Sequence, residues 1–344
     1  MAARVTLKDI AQRAGVHVTT VSLALKNDPR LPPKTRDRLR KLADQMGYTP
    51  DAALRALSAY RQSSRAHPVQ SALAYLTDMP MTHPLAECVY THARAKASQL
   101  GYSLREFNLG NPNTTLASCM NVWWNTGIKG VLIGPFFNPE PLADGKWDKW
   151  VSVAYGYTVE KPDFNRVVPD LFHNLLTHLE ILRARGYRRI GLLLYGNYDT
   201  KIFGLLHGAY LLDQARHGSS ESKVYIQNGM NTPRKMKSWI RKERLDALVA
   251  PLEDYAVLEK TGLRIPEDIG FSMLSWKSYD PQNPSHCAGM DITVDLVAAS
   301  AVSYLVSQLH ENAFGLLDRP RCLLVPGVFQ EGVSIRPAGP VAVA

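Results

Sequence analysis

Four times in this sequence a helical pattern meets a glycine and then an apolar run: QLGYSLREF, NTGIKGVLI, ARGYRRIGLLL and KTGLRIPEDIGF. The runs at 71–76, 131–136, 190–195, 247–252 and 269–274 show almost no polar–apolar alternation. Continuous apolar character belongs to strands covered on both faces, and successive parallel strands need a crossover, usually a helix. Glycine closes such a helix where the chain turns left-handed. Helix, glycine, buried strand, repeated, predicts doubly wound parallel α/β sheets.

At 344 residues the chain exceeds one ordinary core, so two or three domains are expected. The α/β pattern starts only after SSRAHP (63–68), a polar linker ending in proline. Ahead of it charge is concentrated. Residues 1–66 carry 13 Lys/Arg against 5 Asp/Glu, a net of +8 out of +9 for the whole chain. That segregation points to an anion-binding module, with nucleic acid the leading partner. An acidic lipid surface fits less well, because proline and glycine interrupt the segment before one long amphipathic helix can form. No apolar run approaches the roughly 20 residues of a membrane span. MAARVTLKDIAQRAG meets charge too early for a secretory signal. Cys88, Cys119, Cys287 and Cys322 are scattered, without metal spacing, and read as reduced thiols of a cytoplasmic protein.

Within the basic segment, Thr6-Leu7-Lys8-Asp9 has the form of a capping box. Leu7, Ile10, Ala11 and Ala14 follow as one helical face that stops at Gly15. Val21, Ala24 and Leu25 give a second short helix its buried face. A third is marked by Pro33, by the stripe Leu39, Leu42, Ala43 and Met46, and by Gly47. Two short helices around a glycine turn, braced by a third, predict a helix-turn-helix. The second helix of such a unit puts its N-terminal residues into the major groove. Thr20 and Ser22 then suit phosphate oxygens, while Val18 and Thr19 offer methyls to thymine.

The run TLKDIAQRAGVHVTTVSLALKNDPRLPPKTRDRLRKLADQMGYTPDAALRAL resembles the DNA-binding head and hinge of the LacI/GalR family of bacterial transcription repressors. The resemblance implies phosphate contacts from Thr6, His17, Thr20, Ser22, Lys26, Arg30, Thr35 and Tyr48. It also implies a hinge helix that folds on operator DNA, here PDAALRAL (50–57), with Asp51 as N-cap, Arg55 kept and Leu57 at the position that wedges the minor groove. About six helical residues are too few to be stable alone, which fits folding on a partner. At the position of Leu23 the family often has an Arg that reads guanine, and at His17 a Ser that caps the helix. Leu23 has no donor, so it is expected to meet thymine methyls beside Val18 and Thr19.

RARGYRRIGLLL and GLRIPEDIGF are similar to the family's core, a two-lobed fold like that of periplasmic sugar-binding proteins. Three domains follow: a head over 1–49, a hinge helix and linker over 50–66, and an effector-binding and dimerisation core over 67–344. The core divides near residue 160, with the helix around 292–310 returning to the first lobe and the tail to the second. Ligands in parallel α/β sheets sit beyond the carboxyl ends of strands. That rule nominates His83, Phe136 with Phe137, Tyr155 with Tyr157, Asn197, Tyr198, Lys201, Glu253, Asp254, Ser275 and Trp276. The set describes an aromatic cleft with some hydrogen-bonding groups, suited to a sugar-like or heterocyclic ligand.

Two charged sugar-binding positions of the family fall on Leu205 and Ser275, so effector binding is expected to be altered or lost. No P-loop, G-x-S-x-G, H-E-x-x-H, paired-carboxylate or G-x-G-x-x-G pattern suggests an enzyme, and no cofactor or metal is expected. The expected activity is sequence-specific binding, by a dimer, to a pseudo-palindromic operator, as a repressor under a small metabolite. The alternative is a DNA-binding regulator whose core has lost its effector. A transport-type binding protein fits neither the basic head nor the absence of a signal peptide.

Overall fold

The computed structural model describes residues 5–25, 28, 30–48, 71–217, 223–227, 231–276 and 286–337. Lys26, the segment 50–57 with Arg55 and Leu57, and the linker 63–68 lie outside the described residues, as do the side chains of Asn197 and Trp276.

The head is three helices, α1 (Leu7–Ala14), α2 (Val18–Leu25) and α3 (Pro33–Gln45). The capping box that opens α1 is complete. The Thr6 amide donates to Asp9 Oδ2 at 2.8 Å, and the Asp9 amide donates back to Thr6 Oγ1 at 3.4 Å. Gly15 ends α1 with φ at 67°, a conformation that costs other residues a steric clash, and so permits the tight turn into α2. Ile10 and Ala11, Val21 and Ala24, and Leu39 and Ala43 close a small shared core.

The first sheet takes β1 (Ser71–Thr77), β2 (Tyr102–Asn108), β3 (Gly130–Ile133), β4 (Val151–Tyr155) and β5 (Asn165–Pro169), separated where they cross over by α4 (Pro84–Gln99) and α5 (Leu116–Thr126). Alternation along β1 divides its partners. Leu73 and Tyr75 face a cluster with Val89 and Ala93 of α4, whereas Ala74 and Leu76 face Met120 and Trp123 of α5. The second sheet holds β6 (Ile190–Tyr195), β7 (Val224–Gln227), β8 (Ala247–Ala250), β9 (Gly270–Trp276) and β10 (Ala288–Asp291). Between these strands come α7 (Gly196–Lys201), α8 (Leu205–Arg216), α9 (Pro233–Glu243) and α10 (Glu253–Glu259), with α6 (Leu171–Ala184) leading in. Helices α6 and α8 cover one face through Leu175, Leu179 and Leu206, and α9 and α10 cover the other through Met236, Ile240 and Leu258.

The remaining chain serves both lobes. Helix α11 (Val294–Glu311) packs on the first sheet through Val297, Ala301 and Leu305. Strand β11 (Cys322–Val325) then pairs parallel with β5, and two residues later β12 (Val328–Gln330) pairs antiparallel with β10. The first sheet is ordered β11-β5-β4-β3-β1-β2 and the second β12-β10-β9-β8-β6-β7. Two expectations are thereby revised. The lobes divide after residue 169 rather than near 160, because NRVVP, although wholly buried, hides its strand behind Asn, Arg and Pro. The tail also completes both sheets rather than the second alone.

Three crossovers join the lobes, at 169–171, 291–294 and 325–328, and each leaves the carboxyl end of a strand. The carboxyl ends of both sheets therefore face the junction. The Asp170 amide donates to the Val325 carbonyl (2.8 Å), Thr293 Oγ1 to the Pro326 carbonyl (3.1 Å) and the Gly327 amide to Asn174 Oδ1 (2.8 Å). A Cβ on Gly327 would collide with the Asp291 carbonyl oxygen, so glycine is required there.

Candidate nucleic-acid interface and ligand cleft

The tip of α2 is built by His17. Its carbonyl accepts from the amides of Thr20 (2.9 Å) and Val21 (3.3 Å), while its imidazole Nδ1 accepts from the Thr19 amide at 3.3 Å. Thr19 Oγ1 lies 3.0 Å from the same nitrogen. With Nδ1 an acceptor, the ring proton belongs on Nε2, the assignment this hydrogen-bond pattern requires. His17 thus caps the helix with a ring in place of a hydroxyl and keeps one donor for a partner.

Val18 (36% exposed) and Thr19 stand in solvent on the first turn, with Thr20 and Ser22 half-buried behind them. Leu23 is half-buried and is not part of the head core, where Val21 and Ala24 are fully enclosed. No charged residue lies on α2. The helix tip can therefore offer methyl and hydroxyl groups to a groove but no ionic contact. Thr6 is exposed at the start of α1, Thr35 lies half-buried on the first turn of α3, and Tyr48 packs half-buried against the head core. Arg30 is exposed but engaged, donating through Nε and Nη2 to the two Asp28 oxygens at 2.8 and 2.7 Å. Those hydrogen bonds hold the Asp28 carboxyl below its ordinary range.

At the lobe junction the nominated residues separate into two groups. Phe136 is 2% exposed in the first-lobe core against Trp147 and Phe164, and Tyr155 is buried against α11. The open ring at that strand end is Phe137, 57% exposed, edge-on to His83 at 5.6 Å between centroids. His83 also caps α4, its Nδ1 accepting from the Leu85 amide at 3.3 Å. On the second lobe Lys201 ends α7 exposed, and Ser275 lies half-buried on β9. Asp254 is buried, accepting from Tyr195 Oη (3.2 Å) and from Asn231 Nδ2 (3.0 Å). Burial pushes its carboxyl above the ordinary range, partly offset by those two bonds.

Several residues at the junction escape the strand-end rule. Asp78 accepts from the amides of Phe137 and Asn138, each at 2.7 Å, and so ties the loop after β1 to the loop after β3. Phe203, 69% exposed, meets Tyr157 of the first lobe at 6.5 Å between ring centroids, an aromatic contact across the junction. Tyr195 closes the strand IGLLLY and was legible by the same rule; Asn231 and Phe203 lie in loops with no strand end to point to them. The cleft walls are aromatic, while Thr77, Asp78, Asn108 and Asp254 spend their polar atoms on the protein itself. Leu205, half-buried, opens α8 with no charge to offer. Among the described residues no cluster of His, Cys, Asp and Glu is arranged to hold a metal, and no helix is long and apolar enough to cross a membrane.

Residues 6–51 match the family model of bacterial regulatory proteins, lacI family. The probable HTH-type transcriptional repressor ExuR of Bacillus subtilis is 44% identical over 54 residues, 16% of either chain. Matches to curated relatives of this kind thus span about one sixth of their length. Over 96% of this chain the fold is similar to that of a transcriptional regulator CelR–cellobiose complex, covering 100% of that chain at 17% identity and a TM-score of 0.57. It is likewise similar to the lac repressor dimer bound to operator and the anti-inducer ONPF, with 96% of this chain and 99% of that one covered, 16% identity and a TM-score of 0.55.

Proposed function

We propose that this chain, a member of the lacI family of bacterial regulatory proteins through its residues 6–51, is a sequence-specific DNA-binding transcription regulator that acts as a repressor. The observation that carries the reading is the capped, uncharged, exposed tip of α2 on a head whose segment bears a net +8. Charge draws the head to phosphates without regard to sequence, and the tip supplies base-edge contacts that phosphates do not. One head reads one half-site, so two copies on a near-palindrome are needed for operator affinity. The heads repel each other, which leaves the cores to join the dimer, with the hinge at 50–57 and its Leu57 between them. The structurally similar lac repressor is a dimer on operator, which supports this arrangement.

The core binds a small, uncharged ring-bearing metabolite in the junction, beside Phe137, His83 and Tyr157 of the first lobe and Phe203 of the second. Support comes from the open aromatic rings and from the cellobiose held by CelR. A second reading, a regulator without an effector, is favoured by the self-satisfied polar groups and by Leu205 at a position where charge would be needed.

Selection of binding sites from random duplex DNA tests the first claim. The full chain should enrich a two-fold symmetric motif, and enrichment of nothing beyond bulk DNA would refute it. A thermal-shift screen of the full chain against neutral sugars and nucleosides separates the two readings of the core: a stabilising ligand sustains the first, and silence across the set favours the second.

A further inference from the structure

Helix α9 carries a charge pattern that neither the head nor the cleft uses. Over 233–244 the sequence PRKMKSWIRKER places six Lys/Arg against one Glu. Its apolar side is committed to the lobe, with Met236 and Ile240 buried and Trp239 packed beside Tyr225. Every exposed residue of the stretch is polar: Arg234, Lys235, Ser238, Arg241, Lys242 and Arg244. Among the described residues the side chains of Arg234, Lys235, Arg241 and Arg244 have no ion-pair or hydrogen-bond partner, and Lys242 meets only its neighbour Glu243, at 3.6 Å.

Local stability does not account for this. Cations in a first helical turn oppose the helix dipole, yet Arg234 and Lys235 sit there and no acid does. At the other end Arg189 already caps the helix, donating from Nε and Nη2 to the Glu243 carbonyl at 3.0 and 2.9 Å. Lys237 is also accounted for by its bond to the Thr261 carbonyl at 2.6 Å. Arg234 and Arg241, like Lys235 and Lys242, are two helical turns apart. They form two rows about 10 Å long on one face.

We infer that this face of α9 is a second, sequence-independent DNA site, which takes the phosphates of a duplex segment other than the one held by the heads. A protein partner would want an apolar centre inside the charged rim, and a bilayer would want apolar residues to insert. The exposed face has neither. A rigid strip of four or five long cations instead suits a duplex, whose charges recur about every 1.7 Å along its axis. Since α9 belongs to the second lobe and the head is a separate three-helix unit ahead of β1, the two DNA sites lie on different domains. A molecule fixed by its heads could thus gather a neighbouring stretch of the same DNA, where tethering raises the effective concentration of an intrinsically weak contact.

The full chain is first saturated with the unlabelled short duplex that its heads select, then titrated with a fluorescent random-sequence duplex at low salt. Wild type should retain the second duplex, and rising salt should release it. Replacing all four of Arg234, Lys235, Arg241 and Lys242 by Gln should weaken that retention about tenfold or more. Binding of the selected duplex should stay within about twofold, because these exposed side chains hold no part of the fold or the head. Failure to select any duplex would count against the heads and is seen before the second titration begins. With heads loaded, absence of a second duplex overturns the α9 site, as does equal retention by the variant. Capture of anionic phospholipid vesicles by wild type in place of duplex overturns it equally.

Discussion

Leu23, half-buried on α2, has no hydrogen-bond donor, and the resemblance to the LacI/GalR head implies a base-facing position for it. Leu23 lies outside the head core, so its substitution leaves Val21, Ala24 and the packing of α3 untouched. Leu23→Arg should shift preference toward guanine at the facing base by about 1–3 kcal/mol, measured by competition between matched duplexes. A wild-type consensus with an indispensable guanine there would defeat this account of the helix. Asp254 invites a different substitution. Burial raises its folded pKa above the unfolded value, so the fold favours the neutral carboxyl. Stability from this group is greatest below the ordinary aspartate range and is lost as pH rises through the raised pKa. Asp254→Asn keeps an acceptor for Asn231 and lets Tyr195 Oη accept in turn. It should stabilise the protein at neutral pH and remove that part of the pH dependence. Thermal melts at several pH values decide it.

Helix α6 shows what an element adds to its residues. Its buried face carries leucines and two polar groups, Asn174 and His178. His178 Nε2 lies 2.6 Å from Ser272 Oγ of β9, Nδ1 has no hydrogen-bond partner among the described residues, and the ring meets Phe329 of β12 edge-on. Burial lowers its pKa to about 3. The unfolded chain therefore takes up a proton near pH 6.5 that the fold refuses. Stability is whole above that pH and falls toward pH 3 by about 1.4 kcal/mol per unit. His178→Gln, which can still bond Ser272, should flatten this slope in acid denaturation, whereas an unchanged slope would place the proton elsewhere. Elements also explain what the sequence made legible. Continuous apolar runs exposed β1, β6, β8 and β9, since both faces of each are buried. Strands β5, β11 and β12 were hidden, the first by Asn, Arg and Pro, the others by being short and partly exposed. The head was legible throughout its helices because capping box, glycine and apolar stripe are all local signals. The cleft was not, because a strand end names a place but not a side: Phe136 turns into the core and Phe137, one residue on, faces out.

For the whole molecule, charge and symmetry make a joint prediction. Operator affinity should fall steeply with salt, each neutralised phosphate contributing about −0.9 to the log–log slope. A flat dependence would contradict phosphate contact by the basic head. Sedimentation should show a dimer of the full chain without DNA at micromolar concentration, held by the cores, and a monomer there would refute core-mediated pairing. The last stretch of the chain also bears on how the protein is made. The head is complete by residue 48, but β11 and β12, one for each sheet, are separated by only Pro326 and Gly327 near the carboxyl end. On the ribosome the two lobes must therefore wait and finish together, while the head is already whole. A message cut short before residue 322 would release an assembled DNA-binding head attached to two sheets, each lacking its closing strand.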